Sequence, residues 1–149
     1  MAAAPVISNP AAQAGLNAVL ALINVGGAGV IKIFSGAPPA SCETADSGTL
    51  LAALTPSSTA FASAVDNTAG GATATAAAIT SGTAVATGTA GYFRAYPHTP
   101  TTTNAVIQGT VGASGSGDDM IISTTAINTG DTVSCSSWTV TQPDGSGTD

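Results

Sequence analysis

Few side chains in this sequence can move a proton, hold a metal or attack a bond. Its 149 residues include one histidine, His98, two cations, Lys32 and Arg94, eight carboxylates, and two cysteines, Cys42 and Cys135. His98 lies between Pro97 and Pro100 and reads as an exposed loop histidine. A catalytic base needs an orienting acid and a nucleophile, and no G-x-S-x-G or comparable signature accompanies it. Asp118 and Asp119 follow a Gly/Ser-rich stretch, where a calcium loop would place its oxygens. Calcium takes roughly six to eight oxygen ligands, spaced as in D-x-[DN]-x-[DN]-G. Two adjacent acids on an extended backbone point to opposite sides, so the pair reads as a solvated turn. The cysteines are far apart and lack metal-ligand spacing. Gly26-Gly27-Ala28-Gly29 has no following Lys-Ser/Thr and ends a helix where a phosphate loop would begin one. The expectation is a protein with no catalytic, cofactor or metal site, and no enzymatic activity.

One cluster remains. Tyr92, Arg94 and Tyr96 alternate with Phe93 and Ala95, which puts the two tyrosines and the arginine on one face of a strand. Tyr and Arg are enriched in interface hot spots, so this row is the candidate interface. The competing reading is a sheet face on which Arg94 stacks on a tyrosine or pairs with an acid. Trp138, alone of its kind in a closing strand, reads as core.

Charged residues make up 7% of the chain, against roughly 25% in an average soluble domain. A surface so neutral suits a protein packed against copies of itself or against another protein. The formal net charge of −6 speaks against nucleic acid, whose phosphates need clustered Lys and Arg, and against a polybasic membrane contact. No stretch approaches the ~20 continuous apolar residues of a membrane span. The N-terminus is apolar without the cationic region of a signal peptide, and Met1 points to an unprocessed cytoplasmic product. That origin favours free thiols at Cys42 and Cys135 over a bridge.

The elements that must position these residues follow from periodicity. Residues 1–10, with two prolines, read as an extended arm ending in an Asn9 cap with Pro10 at the first helical position. From Ala11 to Val25 the apolar residues Leu16, Val19, Leu20, Leu22 and Ile23 recur at helical spacing, and the glycines from Gly26 stop the helix. The apolar face from Leu16 to Ile23 favours self-association, because such a stripe must be covered. Val30–Phe34 reads as a strand, with Ile31 and Ile33 on one face and Val30, Lys32 and Phe34 on the other. Residues 40–48 read as a surface loop. Further strands are expected at Thr49–Thr55, Thr73–Ile79, Ala84–Thr87, Gly91–Tyr96, Ala105–Val111, Asp118–Ser123 and Asp131–Gln142, with a Ser81-Gly82 turn. Residues 11–142 thus form one mainly β domain, an antiparallel sandwich or barrel with one N-terminal helix. Residues 143–149 read as a flexible polar tail.

The order of pieces adds a family. A helix leads into VIKIFSGAPPAS (residues 30–41), then GTLLAAL (48–54), then ATGTAGYFRAY (86–96), and a Gly/Ser/Asp loop precedes IISTTAINTGDTVSCSSWTVTQP (121–143). Over Ala11–Pro143 this resembles small structural proteins of tailed-bacteriophage heads, several of which look like capsid decoration (cement) proteins. The resemblance implies a β-rich domain made in the host cytoplasm and bound in many copies to the outside of a virion capsid. The major capsid protein is the implied partner, and the protein's own copies assemble as trimers, with a dimer as second choice. No residue role comes with it. The alternative is a tail or fibre adhesin module that binds a host glycan through an exposed Tyr92, Tyr96 or Trp138.

Overall fold

A computed structural model describes residues 5–145. The described chain runs through Pro5–Ser8 without regular structure, with Ser8 extended, and enters helix α1, Asn9–Ala21, continued by a 3-10 turn at Leu22–Asn24. Ser8, one residue before the expected Asn9, is the cap. Its side chain accepts from the Ala11 N–H at 3.4 Å, and Pro10 lies in the first turn. Gly26 and Gly27 then turn the chain with positive φ. Gly29 lies where the helix end meets the sheet, and a Cβ there would strike the Ile23 and Tyr96 carbonyls.

Twelve strands follow: β1 Val30–Ser35, β2 Leu50–Pro56, β3 Val65–Asp66, β4 Ala72–Thr75, β5 Ile79–Thr80, β6 Gly82–Thr83, β7 Gly88–Tyr96, β8 Ile107–Gly112, β9 Met120–Ile122, β10 Ala126–Ile127, β11 Thr132–Val133 and β12 Cys135–Gln142. The main sheet runs β3-β4-β12-β9-β8-β7-β1-β2-β5, with β10 also on β7, while β6 and β11 form a separate pair. The protein is mainly β, as the sequence requires. Its pairings are antiparallel except β8–β9, which run parallel after the 113–119 loop turns the chain back. Strands β4 and β5 stand near opposite ends of this order, yet only residues 76–78 separate them. The sheet therefore curls toward itself as a half-barrel.

The concave face holds the core. Ile31 pairs with Leu54 and Ala95, and Ile33 with Ala52 and Phe93, all buried. Helix α1 lays Ala12, Leu16 and Leu20 against β4 and β12, so Leu16, Leu20 and Ile23 of the expected stripe are buried within the protein itself, while Val19 and Leu22 stay exposed. Trp138 is buried between Phe61 and Phe93, with ring centroids 4.6 and 5.0 Å away in edge-to-face contact, a geometry that aromatic pairs favour.

Several segments differ from expectation: Thr73–Ile79 breaks into β4 and β5, and Asp131–Gln142 into β11 and β12, each with different partners. Residues 84–87 form no strand: the Ala84 and Val85 N–H groups bond to Asp131 and Leu51 carbonyls outside any ladder. Gly82 belongs to β6, where a Cβ would collide with the Ala53 carbonyl. The polar stretch from 143 is anchored at its start, because Asp144 is buried and its carbonyl accepts from the Ile7 N–H at 2.9 Å. The remainder of the expected arm and tail, residues 1–4 and 146–149, lies outside the described residues.

The helix contact has a measurable weight. Leu16→Ala removes a buried side chain between α1 and the sheet and is expected to cost about 2–5 kcal/mol. Urea unfolding should show a lower midpoint with an unchanged slope.

Candidate functional site

On the convex face of β1, β7 and β8, cross-strand register builds two rows. Lys32, Arg94 and Gln108 stand side by side, as do Phe34, Tyr92 and Thr110, with Tyr96 opposite Val30. Tyr92, Arg94 and Tyr96 therefore share a face, as their alternation demands. That face is not an exposed interface. All three side chains are fully buried, because residues 36–49 and 97–104 fold over them.

Arg94 holds that cover down. Its Nε and Nη2 donate to Gln108 Oε1 at 3.0 and 2.9 Å, and Nη2 also donates to the Ser41 carbonyl at 2.7 Å. Nη1 donates to the Thr44 carbonyl and to Asp46 Oδ1, both at 2.8 Å, and to the Thr102 carbonyl at 3.3 Å. A guanidinium has five N–H donors in a fixed fork, so none is left for an incoming anion. Gln108 extends the grip, its Nε2 donating to the Pro39 carbonyl at 2.7 Å. The Tyr92 hydroxyl donates to the Ser47 carbonyl at 2.5 Å and accepts from the Ser47 N–H at 3.1 Å, while its ring stacks on Phe34. The loop closes at Gly48, whose positive φ and contact with the Ser35 carbonyl exclude a side chain.

Asp46 collects both cations of the chain. Besides Arg94, it accepts from the Tyr96 hydroxyl in a short hydrogen bond and lies 3.7 Å from Lys32 Nζ, which also sits 4.6 Å from the Tyr96 ring centroid. Burial works against the Arg94 charge, but the Asp46 and Tyr96 contacts outweigh it and raise its pKa. Burial, reinforced by the hydrogen bond to Asp46, pushes the Tyr96 hydroxyl well above its ordinary range. A tyrosine held so firmly protonated is no general base, and an arginine with every donor engaged is no substrate clamp. The cluster fastens a loop to a sheet.

The other candidates lie apart from this cluster. His98 is exposed, its Nδ1–H donating to the Ala28 carbonyl at 2.9 Å above Gly27, so it ties the 97–104 loop to the turn after the helix. Asp119 Oδ2 accepts from the Thr110 N–H at 2.9 Å and from its hydroxyl at 3.2 Å, whereas the Asp118 carboxylate faces Gly112. The two acids serve different partners. Cys42 and Cys135 are free thiols, each raised in pKa chiefly by burial. A cleft of about 370 Å³ opens between α1 and residues 58–63. Its polar walls are largely engaged, Asn17 Oδ1 by the Ala64 N–H and Asn24 Nδ2 by the Ser58 carbonyl, which leaves Asn24 Oδ1 buried and unpaired.

Asp46, Gln108 and the Ser41, Thr44 and Thr102 carbonyls were not visible as a site in the sequence. The available signal was a lone arginine between two tyrosines in a chain with almost no other charge. No protein-family model matches this chain, and no curated protein or solved structure is significantly similar to it.

Two outcomes follow from the clamp. Asp46→Asn leaves the Arg94 charge buried against a neutral amide, and is expected to cost roughly 3–5 kcal/mol and to expose the 36–49 loop to limited proteolysis. Tyr96 titrates higher in the folded chain than in the unfolded one. Its contribution is therefore complete below the ordinary tyrosine value near 10 and is lost as pH rises above it. Chemical denaturation across alkaline pH should show that decline, and Tyr96→Phe should flatten it.

Proposed function

We propose that this protein is a structural component of a virion, a decoration protein on the outside of a tailed-phage capsid that strengthens contacts between capsomers. The observation that carries the reading is the Arg94–Asp46 clamp. The strongest polar side chains of the sheet are engaged in locking a loop onto it. What the chain offers a partner is therefore a rigid shape with few charged side chains. A decoration protein needs that more than it needs a reactive centre, since many weakly bound copies on one lattice reinforce one another through effective concentration. The proposed partners are the major capsid protein and further copies of this chain, on a particle assembled from proteins made in the host cytoplasm.

The adhesin reading calls for aromatic rings at the surface to stack on sugar. Tyr92, Tyr96 and Trp138 are all buried, so nothing at those positions favours it.

Purified protein mixed with expanded capsids lacking it should co-sediment, saturate at a fixed stoichiometry and raise the temperature at which the shells break. Failure to pellet with any such shell, together with tight retention on a host glycan array, would reverse the choice between the two readings.

A further inference from the structure

The cleft between α1 and residues 58–63 is only half closed by its own hydrogen bonds. Asn17 and Asn24 stand seven residues apart, two turns along one side of the helix and about 10 Å from each other. Each fastens the facing segment with one half of its amide. Asn17 Oδ1 accepts from the Ala64 N–H at 2.8 Å, and Asn24 Nδ2 donates to the Ser58 carbonyl at 2.6 Å. The other halves, a donor on Asn17 and a buried acceptor on Asn24, have no partner among the described residues. A buried acceptor without a donor is uncommon in a folded protein.

The facing segment brings a short strand edge. Phe61 pairs with Ala76 in a lone antiparallel bridge. It is flanked by the Ala62 N–H bonded to the Thr75 carbonyl at 3.1 Å and the Ala77 N–H bonded to the Ala60 carbonyl at 2.8 Å. The central residue of such a pair turns its own N–H and C=O the other way, and neither meets a backbone partner. Leu20, Ala21, Ala60 and Ala62 supply the apolar surface, and no charged side chain lines the cleft.

We infer that this cleft binds an extended, uncharged peptide segment of another protein chain, about three residues with small side chains, which adds as a strand beside Phe61. Hydrogen bonding selects a peptide. An extended backbone carries N–H and C=O groups on both edges. One edge meets Phe61, and the other presents an acceptor to Asn17 Nδ2 and a donor to Asn24 Oδ1. At about 3.3 Å per residue, three residues span the distance between the two amides. Charge selects an uncharged stretch, because an ion placed against these neutral walls would lose its water without gaining a partner. Size selects short side chains, since about 370 Å³ is near the lower limit of ligand clefts. Reach selects another molecule. Gly145 lies beside Pro5, ahead of α1, whereas Asn24 is about 22 Å along the helix from Asn9. Four residues reach about 14 Å at most, so neither residues 1–4 nor residues 146–149 of the same chain fill the cleft.

Strand addition draws its affinity from main-chain hydrogen bonds. With so few of them an isolated peptide binds weakly, with Kd on the order of 0.1–1 mM, and gains when its own protein is held nearby by other contacts. The site is independent of the capsid reading.

Nuclear magnetic resonance of the 15N-labelled full chain, titrated with acetyl-Ala-Thr-Ala-amide to about 10 mM, reads the binding directly. Saturable shifts are expected at the Asn17 and Asn24 side-chain amides and at the Phe61 N–H, whose hydrogen exchange should slow. Ala21→Gln and Ala62→Leu each fill the cleft from one wall and, once checked for retained thermal unfolding, should weaken binding by about tenfold or more. The same peptide with N-methylated backbone nitrogens should not bind. No saturable shift, unchanged affinity in both variants, or equal binding of the methylated peptide would each overturn the inference. Saturable shifts with maltose and none with the peptide would assign the cleft to a sugar and overturn it too. None of these results bears on the capsid assay above.

Discussion

A single guanidinium organises the convex half of this protein. Placing Arg94 on the outward face of a central strand would leave a charge with nothing to hold in a chain so short of acids. Three backbone carbonyls, one amide and one carboxylate converge on it instead, drawn from residues 41–46, 102 and 108. Hydrogen bonds to a charged donor contribute more than neutral ones, and removing any large share of them would leave the charge buried without partners. That asymmetry explains why a loop of prolines, serines and glycines, with no secondary structure of its own, lies closed on the sheet. Burial in turn raises the cost of ionising Tyr96, so the clamp is strongest in the range where its tyrosine stays neutral.

The two faces of the sheet divide the work. The concave face is a conventional apolar core, with Trp138 between two phenylalanines and one stripe of α1 closing it. The convex face is polar yet equally closed. Together they make a body packed on both faces of the sheet, with few charged side chains. Rigidity and neutrality are both consequences of how few ionisable groups the chain has and where each is placed.

Much of this was legible in the sequence wherever side-chain pattern carried it. The alternation in Val30–Phe34 fixed which of its residues face inward, the grouping of Tyr92, Arg94 and Tyr96 followed from the same period, and Trp138 was recognisable as core. The cap missed by one residue because Ser8 and Asn9 are both competent cap residues. What the pattern could not carry was anything decided by backbone. The lid over Arg94 is held by carbonyls of Ser41, Thr44 and Thr102, which any residue supplies, so nothing in 36–49 distinguished it from an open loop. Asp144 is anchored in the same way, through its carbonyl to Ile7. The helix was legible only in part: of the stripe Leu16, Val19, Leu20, Leu22 and Ile23, the first, third and fifth are buried within the chain itself, while Val19 and Leu22 stay exposed.

The near-closure of the sheet bears on how such a chain avoids pairing its strand edges with those of a neighbour. Proteins often blunt exposed strand edges with charged side chains, and only 7% of this chain is charged. An unpaired strand margin would recruit any passing strand. Here both margins, β3 and β5, are two residues long, and the chain crosses between the two ends through residues 76–78, where the Ala76 and Ala77 N–H groups bond to the Trp138 and Ala60 carbonyls. There is scarcely a free ladder on which misassembly could begin. Geometry closes off those margins here, and it does so through their shortness.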